Sequence, residues 1–212
     1  MKRILVFLSA LVFVFSLTGC SAFMEGFREG LAAESGVSET PAAVSAERSP
    51  SRERLSAGSD AGETQLIRSA ESSLSLVFPG SWVEMEGRDR NEFASIQMGQ
   101  RLGDQYLLVI EEPTSDFDDD FTLFEYAYLI LDEMTYLVNP TDTPLIEDVE
   151  IGDSIHAKQF ELTGSVDRIR VRYLVTVVEY NDIFYQLVAW STPSRYDTAK
   201  PIFMEILNSV TF

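Results

Sequence analysis

From Ser72 onward, apolar residues recur first at every second position, then at every third or fourth, then at every second again. In SLSLVFP, Leu74, Leu76 and Phe78 share one face, and in FASIQM the same holds for Ala94, Ile96 and Met98. Each stretch predicts a strand with one covered side. QYLLVIEE is apolar on both faces and predicts a central strand. Between Thr122 and Val138 the period lengthens. Leu123, Ala127, Ile130, Met134 and Leu137 line one side of a helix, Thr122 and Glu125 form a capping box at its start, and Asn139 and Pro140 stop it. Strand patterns return in LIEDVEI, SIHAKQFEL, VDRIRVRYLVTVVEY and DIFYQLVAW, with turn signals at Gly152-Asp153, Thr163-Gly164-Ser165 and Asn181-Asp182. Turns this short join antiparallel neighbours. A last helix is expected from about Thr198 to Asn208, with Pro201 in its first turn, where a missing N–H costs nothing. The order predicts an α+β fold: a single twisted antiparallel sheet of about six or seven strands with helices packed on its faces.

The first 71 residues follow other rules. Lys2 and Arg3 precede an apolar run from Ile4 to Leu17. That run fits the roughly 7–15 residues of a secretory signal and falls short of the ~18 that span a bilayer. It ends in Leu17, Thr18, Gly19 and Cys20, a branched apolar residue and two small ones before the chain's single cysteine. These residues resemble the lipobox of bacterial lipoproteins. The resemblance implies that residues 1–19 are a signal peptide, that Cys20 receives a diacylglyceryl group, and that the palmitate-type lipid anchors the chain to the outer side of a bacterial cytoplasmic or outer membrane. Two or three acyl chains hold a protein durably at about 0.8 kcal/mol per buried methylene. With Cys20 used as the anchor, no thiol remains for a disulfide, a metal or a nucleophile. Residues 20–71 are rich in Ala, Ser, Glu and Gly, so they are expected to form a flexible tether. Coil dimensions of about 5–6 Å × √n would then hold the domain on the order of 40 Å from the lipid. Phe23, Phe27 and Leu31 have helical spacing, compatible with one amphipathic turn near the membrane. Residues 72–212 are the folded part, long enough for one core.

Charge narrows the partners. From Glu71 onward there are 26 acidic and nine basic residues, which accounts for nearly all of the chain's net charge of −18. Such a domain repels nucleic acid and anionic lipid heads.

The stretches LSLVFPGSWVE and HAKQFELTGSVDRIRVRYLVTVVEYNDIFYQLVAW, and the ending FMEILNSVTF, together resemble the PsbP-like family over about 140 residues. That family includes the extrinsic photosystem II subunit, a Ran-binding factor and many bacterial lipoproteins. Its motifs here are Phe78, Pro79 and Trp82 in one turn, and Ser209 with Phe212 at the end. The resemblance implies a PsbP-like α/β/α sandwich. Its motifs are packing features and transfer no catalytic residue.

Four stretches bear on chemistry. GDSI at Gly152 to Ile155 has the letters of a GDSL-type nucleophile block. The only histidine, His156, lies two residues on along the same strand, so a hairpin turn is the expected role. Asp116, Asp118 and Asp120 have the spacing of the first three ligands of a calcium loop. Phe121 and Ala127 stand where the glycine and bidentate glutamate belong, leaving a weak calcium candidate beside the plainer role of acids preceding a helix. Arg168, Arg170 and Arg172 alternate with Ile169, Val171 and Tyr173. They are the candidate contact for an anionic partner, and pairing with acids of the next strand such as Glu161 is the structural alternative. Trp82, Tyr106, Phe124, Tyr126, Tyr128, Phe184, Tyr185 and Trp190 fall at strand or helix spacing and are assigned to the core. With no cofactor motif and no catalytic residues assigned, the expected function is that of a non-catalytic binding or scaffolding lipoprotein of the cell envelope. Its partner would be an envelope protein or an anionic ligand, and the alternative is an accessory envelope hydrolase using a carboxylate pair.

Overall fold

The computed structural model describes residues 51–55, 62–87, 90–166 and 168–212. Cys20, the signal segment and most of the expected tether lie outside them. In chain order the elements are β1 (Ser51–Leu55), β2 (Thr64–Arg68), β3 (Ser75–Pro79), β4 (Val83–Glu84), β5 (Ala94–Gln100), β6 (Gln105–Pro113), α1 (Leu123–Val138), β7 (Glu147–Ile151), β8 (Ile155–Val166), β9 (Ile169–Tyr180), β10 (Ile183–Ser191) and α2 (Pro193–Asn208). Seven strands pair antiparallel in the order β4-β5-β6-β10-β9-β8-β7, and β1-β2-β3 form a second, smaller sheet.

The period-two strands give the large sheet a separate core on each face. On one side Leu107, Val109, Leu174 and Leu187 pack with Leu76 and Phe78 of β3 and with Tyr196, Phe203 and Leu207 of α2. On the other, Leu108, Ile110, Phe160, Val175 and Phe184 pack beneath Tyr126, Ile130 and Met134 of α1. The result is the expected α+β sandwich, α1 over one face and α2 with the small sheet over the other.

The motifs at the two ends of the domain act as packing devices. Phe78 and Trp82 lie 5.5 Å apart, and Trp82 meets Phe203 edge-on at 6.3 Å. The Ser209 hydroxyl accepts the Val77 N–H at 2.8 Å, and Phe212 stacks on Tyr180 at 4.3 Å.

Four local expectations are corrected. The tether does not run to residue 71: β2 pairs with β3 and buries Ile67 and Gln65. One of the two inward positions is a glutamine, whose Nε2 donates to the carbonyls of Pro79 at 3.1 Å and Trp82 at 2.6 Å, so no apolar alternation announces the strand. A bulge between Ala94 and Ile96 turns Ala94 to the α1 face, while Ile96 and Met98 face α2. Thr163-Gly164-Ser165 is strand, because β8 runs on to Val166. A Cβ at Gly164 would lie 2.3 Å from the Val138 carbonyl oxygen, so this glycine admits the end of α1 rather than a turn. Finally, α2 begins at Pro193 and encloses Pro201. That proline sits on the exposed side, where the carbonyl it leaves unpaired can be hydrated.

The two-residue turn at Asn181-Asp182 has positive φ at both positions (49° and 60°), as a type I′ hairpin requires.

Candidate functional site

The acidic turn before α1 and the first turns of that helix build a groove of about 490 Å³, lined by Phe117, Phe121, Phe124, Glu125, Tyr128, Leu129 and Asp132. The helix starts where the sequence requires. Thr122 Oγ1 accepts the Glu125 N–H at 3.2 Å, and the Glu125 carboxylate accepts the Thr122 N–H at 2.8 Å. That backbone hydrogen bond also holds the Glu125 carboxyl below its ordinary pKa. Fixing the cap fixes the groove, since Phe117 and Phe121 precede it and Phe124 and Tyr128 follow it by two and six residues. Phe117 and Phe121 stack at 5.0 Å, and Phe117 meets Tyr126 and Phe184 edge-on at 5.5 and 5.4 Å. Tyr126 stacks on Phe184 at 4.3 Å. The floor is therefore close aromatic packing, while Phe124 and Tyr128 stand 51% and 58% exposed at the rim. Sequence spacing assigned both to the core. They occupy helix positions one turn apart on the outer side, where periodicity alone does not separate a second apolar stripe from the first.

A polar cluster underlies this floor. The Tyr126 hydroxyl donates to the Glu112 carboxylate, and Gln186 Nε2 donates to the same carboxylate and to the Tyr126 oxygen, each at 2.7 Å. Burial raises the Tyr126 phenol well above its usual pKa, reinforced by the Glu112 charge. Two turns along, Glu133 is 8% exposed. Burial pushes its carboxyl up to about 7, with the charges of Glu112 and Asp132 adding to the effect. A carboxylate with raised proton affinity beside a second acid is what the hydrolase alternative requires. The groove, however, is lined by Glu125 and Asp132 and not by Glu112 or Glu133. Glu112 is already engaged by Tyr126 and Gln186, and the pair does not flank this groove.

The arginines do not form a three-membered row. Arg168 is in the hairpin turn at a φ of 73°, and Arg170 is exposed beside it. Arg172 is tied into the fold: its guanidinium donates to Glu161 at 2.7 Å, approaches Asp197 at 3.8 Å and lies 4.3 Å over the Tyr196 ring. Lys200 bonds the other Glu161 oxygen at 2.5 Å. Burial pushes the Glu161 carboxyl up, but hydrogen bonds from Lys200 and Arg172 more than offset this and hold it below its ordinary pKa. Pairing with Glu161, the structural alternative, is thus the geometry found at Arg172.

Among the described residues, no three His, Cys, Asp or Glu side chains converge as a metal site, so Asp116, Asp118 and Asp120 are not gathered into a calcium cage. GDSI is the β7–β8 hairpin: Gly152 and Ser154 have φ of 52° and 62°, and His156 Nε2 lies 3.3 Å from Asp148. No described helix is long and apolar enough to cross a membrane. One signal for the groove was present in the sequence: residues 102–157 hold 15 Asp and Glu and no Lys or Arg. The acidic turn lies within a 56-residue stretch that has no lysine or arginine and is not an isolated cap.

No family model matches the chain, and no curated protein matches its sequence. Among solved structures, the chain is similar to cyanobacterial PsbP (CyanoP) from Synechocystis, with a TM-score of 0.52 and 14% identity over 74% of this chain and 96% of that one. It is also similar to LpqN of Mycobacterium tuberculosis, involved in cell envelope biogenesis (0.49, 14% identity, 76% and 90% covered), and to a point mutant of the protein Mog1 (0.49, 11%, 70% and 95%). At these identities the likeness to CyanoP establishes architecture alone: the domain has a PsbP-like fold.

Proposed function

We propose that the chain is a lipid-anchored module of the bacterial cell envelope whose PsbP-like domain acts by binding a partner rather than by turnover. The observation that carries this reading is the groove at the start of α1. It gathers exposed aromatic surface in one place, whereas Trp82, Phe78, Phe203 and Tyr185 elsewhere in the domain are fully buried. An exposed apolar hollow flanked by carboxylates is the kind of surface that marks an interaction site. The anchor rests on Lys2 to Cys20, and the tether on the composition of the residues before β2. Arg168 and Arg170, exposed at the far end of the β8–β9 hairpin, are a second place where an anionic group could be held.

The anchoring half is tested by metabolic labelling with a fatty acid. The intact chain should incorporate label and sediment with membranes, whereas Cys20→Ala should remain an unlabelled, uncut precursor. Label retained in Cys20→Ala overturns the assignment.

A further inference from the structure

The exposed apolar residues of α1 are not confined to the groove. Phe124, Tyr128 and Tyr136 are 51%, 58% and 83% exposed, with Asp132 between the last two at the same four-residue step. Residues at i, i+4, i+8 and i+12 form a continuous ridge on a helix, about 18 Å long at 1.5 Å per residue. The ridge starts at the groove and runs along the outer side of the helix. Its surroundings are anionic. Asp118, Asp119 and Asp120 are exposed in the turn between the groove residues Phe117 and Phe121, and Glu125 and Asp132 line the groove itself. A cation already sits at one edge: Lys158, which Asp148 holds at 2.5 Å and whose Nζ lies 5.5 Å over the Phe124 ring. That edge shows the pairing that the site offers elsewhere, an ammonium on an aromatic face beside a carboxylate.

We infer that this ridge and groove dock a cationic polypeptide segment, one that presents leucine- or phenylalanine-type side chains to Phe117, Phe121, Phe124 and Tyr128 and lysine or arginine to the surrounding carboxylates. The inference rests on the binding-module reading and gives it a site and a partner class. Charge selects among occupants. A second copy would bring an equally acidic face against this one, and an anionic lipid surface is repelled by the same carboxylates, whereas a basic amphipathic segment is attracted. Length selects a segment over a small cation, because the exposed rings of Phe124, Tyr128 and Tyr136 are spread along three turns of helix with Asp132 among them, as in helix-in-groove recognition. Aromatic anchors inside a polar rim supply the apolar contact, and the acids steer encounter and fix orientation.

The test uses the full lipidated chain in phosphatidylcholine nanodiscs, with empty nanodiscs as the blank. Three synthetic helical peptides of equal length serve as probes: one of Lys and Leu, one with Glu in place of Lys, and one with Ser in place of Leu. The Lys/Leu peptide should bind. Its affinity should fall at least tenfold in Phe124→Ser/Tyr128→Ser and at least threefold in Asp119→Asn/Asp132→Asn, and raised salt should weaken it in the parent chain more than in the Asn variant. Equal binding of the Lys/Ser peptide, or binding unchanged by Phe124→Ser/Tyr128→Ser, overturns the proposal. So does self-association, or partition onto phosphatidylglycerol vesicles, that Phe124→Ser/Tyr128→Ser abolishes. Binding of the Glu/Leu peptide that Arg168→Gln/Arg170→Gln removes would overturn the groove while leaving the binding-module reading in place. Silence from all three probes counts against both.

Discussion

The two faces of the large sheet are finished differently. Over the α2 face, the large side chains Trp82, Phe78, Tyr196 and Phe203 are at most 1% exposed, and the charged residues Arg172, Glu161 and Lys200 satisfy one another. Over the α1 face, packing is equally tight in the middle, but it ends in partly buried rings at Phe117 and Phe121 and half-exposed ones at Phe124 and Tyr128. Here a nearly buried acid, Glu133, has only further acids acting on its charge. A face whose apolar area is covered and whose charges are paired is arranged for stability. A face that leaves aromatic area in water and like charges together tolerates a cost that folding alone does not require.

Truncation should expose the contrast most strongly. Trp82→Ala and Phe203→Ala each remove a fully buried ring from the α2 face and should cost about 3–5 kcal/mol in urea unfolding. Phe121→Ala, taken from the groove floor where solvent already reaches the ring, should cost about 1 kcal/mol. Comparable losses at both places would mean that the α1 face is as closed as the other and would remove the basis for a groove.

The sequence made the two-sided architecture legible because both periods were strong: the inward positions of β3, β6, β9 and β10 are nearly all apolar, and the helix is announced by its capping box. It was silent where an inward position is polar or a signal has two uses. Gln65 hides β2 by standing where an apolar residue would reveal it. Gly164 looks like a turn residue but serves a close helix–strand approach. The arginine row was visible as spacing, yet spacing does not show that α2 folds back to place Tyr196 and Asp197 beside only one of the three. The groove was the least legible, because its rings sit at intervals that a core would also use. Only the absence of lysine and arginine from residues 102–157 sets the region apart.

The acids on the two faces should titrate in opposite senses. Glu133 is raised to about 7, above the ~4.3 of a carboxyl in an unfolded chain. Its contribution to stability is therefore fully present below about pH 4.3 and lost as pH rises through 7. Glu161, held below its ordinary value by Lys200 and Arg172 despite its burial, contributes above about pH 4.3, and that contribution is lost as pH falls through its folded pKa. Glu133→Gln removes the first effect and keeps the second. Relative to the parent chain, this variant should gain stability steadily from pH 5 to pH 8, reaching about 1–2 kcal/mol once solvent at the helix edge is allowed for. A difference that stays flat across that range would show that Glu133 is solvated in the folded state and that the α1 face carries no electrostatic cost there.

The smallest effect separates arginines that the sequence presents as equivalent. Arg172→Gln deletes the bond to Glu161 and the packing on Tyr196, but Glu161 keeps Lys200, so no bare carboxylate is left behind. Stranding a buried charge would cost about 3–5 kcal/mol. With one partner retained and the Arg172 side chain 37% exposed, the expected loss is about 1 kcal/mol, reduced further by salt. Arg170→Gln and Arg168→Gln act at exposed positions and should stay within about 0.5 kcal/mol of the parent. The comparison turns on the gap between them. If Arg170→Gln costs as much as Arg172→Gln, the three guanidinium groups act as one field over the sheet, and the charges of the α2 face are not settled pair by pair as the geometry at Glu161 implies. If only Arg172→Gln matters, Arg168 and Arg170 are dispensable to the fold, and any loss of binding on replacing them reports on a ligand and not on the sheet.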